Sequence, residues 1–307
     1  MLKYSKALGL IIFVFLFVMC NQKNKNEAEK ETILKGSLDV AVDETVKQIV
    51  DDQVAVFEGT YYDAKITVKP KSEAEVINDL LNQKAKVAIT TRDLTADERV
   101  RFEKSKINPR VTPFAHDAIA FISSKSNNDT LIALKSVIDF LQGKPDTKIK
   151  GLVFDNPNSS TVRYMKELAK IKEVPKEGVF SFKTNNEVIK FVSENEGMIG
   201  VIGVNWFYQP TPDMNETINK INVLYVKGLN SNEYYSPTQN DLEIGKYPLA
   251  RDLFIINCQG YSGLGMGLAS FIAGDIGQRI VLKSGLLPYK TPGRKLKIRN
   301  EIIKDKE

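Results

Sequence analysis

Apolar residues follow two spacings along most of the chain, and these predict alternating strands and helices. SLDVAV (37–42), AKITVKP (64–70) and KVAIT (86–90) have the composition of short strands. Helical spacing follows the first of them, at Val46, Ile49, Val50, Val54 and Phe57. Such alternation predicts an α/β fold with mainly parallel sheets.

Several predicted helices begin with a capping box, in which a hydroxyl residue is followed three positions later by glutamate. The pattern occurs in SEAE (72–75), TADE (95–98) and TNNE (184–187). A helix start presents unpaired backbone N–H groups and a partial positive charge, which together attract anions. In open α/β sheets, ligands bind where strands lead into such starts.

One helix start is rich in hydroxyl groups. After the apolar run GLVF (151–154), the segment DNPNSSTVR (155–163) places Ser159, Ser160 and Thr161 in a row, with Arg163 two residues on. Short polar side chains disfavour a helix interior but suit a helix start. The segment is therefore either an anion-binding loop or an ordinary cap, and composition alone favours the cap.

The same segment, DNPNSSTVRYMKE, resembles the serine-rich anion loop of the phosphate-binding proteins of bacterial ABC phosphate importers, a family of type II periplasmic binding proteins. Thr161 and Val162 stand where that family usually has glycine and threonine. VAITTRDLTADE (87–98) is similar to a family segment that places Thr91 and Arg92 at the ligand. Further segments match in order over residues 36–290: PFAHDAIAFISSKSN, SVIDFLQGK, GMIGVIGVNWF, YPLARDLFIIN and GLASFIAGDIGQRIVLKSGLLP.

The resemblance implies a two-lobed α/β fold with a ligand cleft between the lobes. Residues 33–114 and 245–300 would form the first lobe, and residues 115–244 the second. It implies a monomer that captures phosphate or a similar oxyanion by hinge closure and delivers it to an ABC permease and ATPase, without catalysis or a cofactor. The expected ligand-binding residues are Thr45, Ser72, Thr91, Arg92, Ser159, Ser160, Thr161 and Arg163.

The segment VAVDETV departs from the family pattern, because Asp43 and Glu44 precede Thr45 where glycine and hydroxyl residues are usual. Like charges in a dry cleft repel, so two carboxylates beside an anion would be costly. Asp43 either accepts a ligand proton, which would favour protonated phosphate over sulfate, or caps the first helical turn with Glu44 complementing the helix dipole. Asp43 therefore joins the expected binding residues as a selectivity acceptor.

The first residues have the pattern of an export signal. Residues 1–19 combine a basic start with a 13-residue uncharged apolar run at 7–19, which is short for a spanning helix. LFVMC (16–20) resembles the lipobox of bacterial lipoproteins and predicts lipidation of Cys20; a plain anchor helix is the alternative. Residues 20–32 predict a flexible tether, and 301–307 form a charged tail. An extracytoplasmic, membrane-anchored protein is expected.

Composition narrows the function classes. The chain has 307 residues and a formal charge of +5, and without Lys3 and Lys6 of the leader 41 basic residues face 38 acidic ones, too mild an excess to predict nucleic-acid binding. The single histidine, His116, cannot form a histidine cluster for a metal, and we expect it to have a hinge-region or core role rather than a catalytic one. A tethered sensor or interaction protein remains an alternative; a hydrolase with Ser159 or Ser160 as nucleophile is disfavoured. Trp206 either lines the cleft or joins a hydrophobic cluster.

Overall fold

The computed structural model describes residues 31–144 and 148–293, and its elements alternate as the sequence predicts. The strands are β1 Gly36–Asp43, β2 Ala64–Lys71, β3 Val87–Thr90, β4 Arg110–Ser124, β5 Leu131–Ala133, β6 Gly151–Phe154, β7 Val179–Ser181, β8 Met198–Gly203, β9 Ile221–Val223, β10 Tyr225–Lys227, β11 Tyr234–Tyr235, β12 Ala250–Asn257 and β13 Leu287–Pro288. The α-helices are α1 Lys47–Thr60, α2 Glu73–Leu81, α3 Ala96–Lys104, α4 Leu134–Leu141, α5 Ser160–Ala169, α6 Asn185–Glu194, α7 Asn205–Tyr208, α8 Asn215–Ile218, α9 Gln239–Glu243, α10 Leu264–Ile272 and α11 Asp275–Lys283.

One large mixed sheet organises the molecule. Within the described residues it has ten strands in the order β2-β1-β3-β12-β4-β8-β6-β7, with β9 and β13 also on β4. Strands β2, β1 and β3 are parallel, as are β8, β6 and β7. The strands that join these two groups, β12 and β4, are antiparallel to their neighbours. The prediction of mainly parallel pairing therefore holds on either side of the centre and not within it.

Strand β4 divides the sheet into two halves. Its residues 110–118 pair with β12, whereas residues 119–124 pair with β8 and β9. We call β1, β2, β3, β12 and their connections the first half, and β6 to β9 and their connections the second half. The division of the chain into two lobes, with boundaries at residues 114 and 244, stays a prediction.

Helix α1 shows how the apolar pattern becomes core. Its residues Ile49, Val50 and Phe57 are buried, and the Phe57 ring meets the Phe271 ring of α10 edge-on. Fully burying such a side chain contributes about 1.5 to 3 kcal/mol. Val46 continues the apolar spacing but lies in a 3-10 turn, residues 44–46, because Asp43 caps that turn ahead of the helix.

The predicted capping boxes fix two helix starts. Glu75 accepts a hydrogen bond from the backbone N–H of Ser72, and Glu98 accepts one from Thr95. Thr184 caps α6, while the glutamate of that motif accepts from Lys183 instead of from the cap residue. The starts of α2 and α3 therefore occur where the sequence predicts them.

Glu31, at the end of the predicted tether, lies against the start of α10. Its carboxylate accepts hydrogen bonds from the Leu264 backbone N–H at 2.7 Å and the Tyr261 hydroxyl at 2.8 Å. Among the described residues, no helix is both long and apolar enough to cross a membrane. The predicted signal peptide, Cys20 and the tail at 301–307 lie outside the described residues.

Candidate functional site

Five buried polar residues from both halves of the sheet meet near its centre, and we call them the central cluster: Asp43, Thr45, Asp117, Ser160 and Arg251. Asp43 ends β1, and Thr45 lies in the turn that follows. Ser160 opens α5 after β6. Asp117 and Arg251 are directly opposite each other on β4 and β12. Strand ends and helix starts thus converge on the pair of strands that joins the two halves.

Arg251 connects the members of the central cluster. Its Nε lies 2.9 Å and its Nη2 2.7 Å from Asp117 Oδ2. Nη1 donates to Ser160 Oγ at 2.9 Å, and Nη2 to Thr45 Oγ1 at 3.3 Å. The two hydroxyl oxygens are 3.0 Å apart. One guanidinium therefore contacts hydroxyls from both halves in a water-poor setting, where charge-assisted hydrogen bonds are strong.

Asp43 has the capping role that the sequence left open, and one of its carboxylate oxygens has no partner among the described residues. Its Oδ1 caps the first turn, accepting from Thr45 N at 3.1 Å and Thr45 Oγ1 at 2.9 Å. Its Oδ2 is buried and has no hydrogen-bond partner among the described residues, and the same holds for Asp117 Oδ1. Buried polar atoms without partners are rare and costly, so two in one cluster indicate a site for an external donor.

Burial and repulsion alter the proton affinity of the acidic residues. Burial, with repulsion from Glu73, raises the pKa of Asp43 from 3.8 to about 6, against the opposing charge of Arg251. The pKa of Glu44 rises to about 7 through burial and the neighbouring charge of Asp155. A carboxyl group with a pKa near 6 changes charge within the physiological range, a common property of functional sites.

Gly203 allows the halves to approach at the central cluster. It ends β8, and a Cβ atom there would lie 2.9 Å from the Thr45 carbonyl oxygen and 3.3 Å from Arg251 Nη2. Trp206, three residues on, donates its indole N–H to the same carbonyl oxygen at 2.9 Å and is 4% exposed. The tryptophan therefore lies beside the central cluster and belongs to the hydrophobic core, whereas its predicted role in lining a ligand cleft stays a prediction.

A second polar cluster surrounds Glu73, the first residue of α2. Arg163 Nε lies 2.5 Å from Glu73 Oε1, and Arg163 Nη2 donates to Oε2 at 3.1 Å. Arg92 Nε donates to Oε1 at 3.2 Å, and the Thr91 hydroxyl to Oε2 at 2.9 Å. We call Glu73, Thr91, Arg92 and Arg163 the Glu73 cluster. It places three expected ligand-binding residues around a carboxylate of the protein itself.

The remaining hydroxyls of the serine-rich segment bind Asp155, the last residue before the α5 loop. Ser159 Oγ and Thr161 Oγ1 both donate to Asp155 Oδ1, the latter at 2.7 Å. Ser159 also caps α5 by accepting from Val162 N at 3.4 Å. Asn185 donates to the other carboxylate oxygen at 3.2 Å. Burial raises the pKa of Asp155 despite these donors.

Comparison with known proteins places this architecture in a family. The family model described as a PBP superfamily domain matches residues 27–275. The chain belongs to the PBP superfamily.

Three similar proteins have names or titles that refer to phosphate binding or phosphate transport. The phosphate-binding protein PstS of Borreliella burgdorferi is 29% identical over an alignment of 306 positions that covers 94% of this chain and 100% of the relative. A putative phosphate ABC transporter substrate-binding protein from Clostridium perfringens, solved with bound phosphate, superposes with a TM-score of 0.69 at 19% identity, covering 83% of this chain and all of the other. The crystal structure of PstS from Borrelia burgdorferi superposes with a TM-score of 0.52 at 27% identity, covering 84% of this chain and 100% of the other.

The resemblance seen in the sequence and the type II fold are thereby confirmed for this PBP superfamily member. The structure brings Asp43, Thr45 and Ser160 together. It places Thr91, Arg92 and Arg163 around Glu73, and it directs the Ser72 hydroxyl at Glu75, 2.6 Å away. Contact of all these residues with a ligand stays a prediction.

Sequence reasoning missed the charged partners that organise the site of this PBP superfamily member: Glu73, Asp117, Asp155 and Arg251. Two had a usable signal, because Asp117 in FAHDAIAFI and Arg251 in LARDLFII interrupt apolar strands with opposite charges. Isolated charges in buried strands are nearly always paired. Cys258 is a half-buried thiol packed against a hydrophobic cluster, and burial raises its pKa to about 11.

Proposed function

We propose that this protein captures inorganic phosphate, or an oxyanion of similar size, between the two halves and delivers it to an ABC importer. The central cluster carries the proposal, because one buried guanidinium and two hydroxyls from opposite halves converge there. A planar guanidinium matches two oxygens of a tetrahedral anion. The phosphate named for the relatives supports the choice of ligand.

The ligand contacts follow from the chemistry of the central cluster. Arg251 supplies charge, and Thr45 and Ser160 supply hydroxyl groups beside the first backbone N–H groups of helical turns. Thr45 Oγ1 and Ser160 Oγ lie 3.0 Å apart, so an anion between them requires the halves to separate slightly. Hinge motion about β4, which pairs with strands of both halves, provides that separation.

Asp43 selects among oxyanions in this proposal. Its buried Oδ2 accepts the proton of hydrogen phosphate, whereas sulfate carries no proton at neutral pH. Sulfate then binds only when Asp43 itself is protonated, below a pH of about 6. Above that pH, its affinity falls about tenfold for each pH unit.

Calorimetric titration of the full chain in detergent tests the function and the selectivity together. Phosphate should release heat at both pH 5 and pH 8, and sulfate should displace it only at pH 5. Equal displacement by sulfate at pH 8 would mean that Asp43 does not face the ligand. Failure of phosphate to bind at either pH would contradict the proposed function and favour a tethered sensor or interaction protein.

The setting of Ser160 supports binding over catalysis. Its Oγ lies 2.9 Å from Arg251 Nη1, a group that donates hydrogen bonds and cannot accept a proton. A serine nucleophile instead needs an adjacent base. The lone histidine, His116, has its Nδ1 2.6 Å from Asp252 Oδ1 on the neighbouring strand. The protein therefore acts, in this proposal, without chemistry on its ligand.

Membrane attachment through Cys20 completes the proposal, with the protein outside the cytoplasm beside its permease and ATPase. The apolar run that ends at Cys20 motivates it. Radiolabelled fatty acid should enter the native chain and not the Cys20→Ala variant. Equal labelling of the two chains, or labelling of neither, would contradict the lipoprotein assignment.

A further inference from the structure

We propose that Glu73 is a positioning residue for ligand capture: it latches Arg163 of the second half to the first half and so stabilises the closed arrangement. This inference rests on the proposed function, because closure matters for capture only if the protein encloses an anion. The latch itself consists only of protein groups. It therefore contributes to closure whether or not an anion is bound.

The geometry of the pair is that of a strong ion pair. Arg163 meets both oxygens of Glu73, with Nε–Oε1 at 2.5 Å and Nη2–Oε2 at 3.1 Å. Such bidentate pairs add geometric specificity to charge attraction. Arg92 and Thr91, both from the first half, donate to the same carboxylate and hold it in place.

Burial distinguishes this pair from an ordinary surface ion pair. Glu73 is 3% exposed, and the Arg163 side chain is 25% exposed. Burial alone would raise the pKa of Glu73, but Arg163 and Arg92 outweigh it and lower that pKa. Exposed pairs contribute little, whereas removal of one member of a buried pair leaves the other charge without compensation.

The position of the pair gives it an effect on closure. Glu73 begins α2 in the first half, and Arg163 lies one turn into α5 in the second half. Beside it the Ala74 backbone N–H donates to the Asn158 carbonyl oxygen at 3.4 Å, again across the halves. Opening must break these contacts together, since both join the start of α2 to the start of α5.

Trp206 provides a direct measure of closure in the full chain. It is the single tryptophan of the sequence, it belongs to the second half, and its indole N–H donates to Thr45 O in the first. Its fluorescence should be measured in detergent after exhaustive removal of phosphate, for the native chain and for Glu73→Gln. We expect the variant to show red-shifted emission and greater quenching by acrylamide, because the indole loses its buried contact.

Glu167→Gln is the matched control, because Glu167 binds the same arginine at 2.9 Å but lies on the same helix. Its spectrum should match that of the native chain. Should Glu73→Gln fail to fold, Arg163→Gln breaks the same pair at a more exposed position. The double variant should be no more open than either single variant, since the two residues share one interaction. Native-like emission from both single variants would overturn the latch.

Phosphate titration separates the latch from the proposed function. If loss of the pair lowers the closed fraction to about a tenth, the apparent Kd for phosphate rises about tenfold, and saturating phosphate restores native emission. The latch is judged on the spectra without phosphate. The proposed function is judged on phosphate binding by the native chain, so either can fail alone.

Discussion

The central cluster and the Glu73 cluster both pair arginine with buried carboxylate, yet they differ in how completely their polar atoms are satisfied. Both oxygens of Glu73 accept two hydrogen bonds or ion-pair contacts each. In the central cluster, Asp43 Oδ2 and Asp117 Oδ1 are buried without a partner among the described residues. A satisfied cluster rigidifies a structure, whereas an unsatisfied one gains free energy from an added donor. We therefore propose a structural role for the Glu73 cluster and ligand contact for the central cluster.

The balance of charges in the two clusters supports the same division of roles. The central cluster contains two carboxylates and one guanidinium, so a proton or a protonated ligand reduces the repulsion between the carboxylates. The Glu73 cluster sets one carboxylate against Arg92 and Arg163, and Glu98 and Glu167 neutralise the surplus. An anion therefore finds little uncompensated positive charge around Glu73 while the latch is closed.

Arg251→Ala should cause the largest loss of affinity for phosphate. The variant removes the guanidinium that joins both halves and leaves Asp117 buried without its partner. Removing one partner of a buried, hydrogen-bonded charge pair at a binding site costs about 2 to 5 kcal/mol of binding free energy, which corresponds to a roughly 30- to 5,000-fold rise in Kd for phosphate. Calorimetry should show this loss, while thermal unfolding reports the structural part of it.

Arg163→Ala sharpens the comparison with Arg251→Ala. If Arg163 acts only through the latch, its loss should raise Kd far less than the loss of Arg251. A larger effect from Arg163→Ala would reverse the assignment and return the serine-rich segment with Arg163 to the ligand, as the family resemblance implies.

The second prediction concerns pH and the stability of the native fold. The folded state binds the Asp43 proton more tightly than the unfolded state, because burial raises the pKa from 3.8 to about 6. Between these values the unfolded state binds fewer protons, so the free energy of unfolding falls as pH rises, by about 3 kcal/mol in all from this group. Urea unfolding across pH 4–7 should show that this decline is absent in Asp43→Asn.

Asp39→Asn is the control for that series, because Asp39 lies on the same strand and is exposed. It should keep the native pH dependence. Identical pH profiles for native chain and Asp43→Asn would mean that the Asp43 carboxyl is not the buried acid described here.

The fold followed from the sequence more completely than the site because the two depend on different information. Strand β1 and helix α2 are specified by local alternation and by a capping box within four residues, Ser72 to Glu75. The site depends on pairs far apart in the chain, such as Arg251 with Asp117 and Arg163 with Glu73. The register between β4 and β12 decides the first pair, the packing of two helix starts decides the second, and no local spacing encodes either.

The third largest predicted effect is that of Gly203→Ala on the affinity for phosphate. The added methyl group would meet the Thr45 carbonyl oxygen at 2.9 Å, and backbone cannot move aside as a flexible side chain does. Overpacking typically costs about 1 to 3 kcal/mol. Because the clash occurs only when the halves are closed, this cost weakens closure, and Kd for phosphate should rise roughly 5- to 150-fold. Gly59→Ala is the control, since a methyl group there meets no atom within 4 Å and should leave binding unchanged. Unchanged binding by Gly203→Ala would show that the halves close with more room than these distances indicate.

The smallest predicted effects separate two adjacent serines, because one contacts the central cluster and the other contacts Asp155. Ser160 Oγ accepts from Arg251 at 2.9 Å in the central cluster, whereas Ser159 Oγ caps α5 and donates to Asp155. Ser160→Ala should therefore weaken phosphate binding by about 1 kcal/mol, roughly fivefold in Kd. Ser159→Ala should instead lower the free energy of unfolding by about 1 kcal/mol and leave Kd close to native, because its main loss is a helix cap. Calorimetry and urea unfolding of both variants decide between these roles. A reversed order would place the ligand nearer Asp155 than Arg251, and equal effects would mean that the whole helix start binds as one loop.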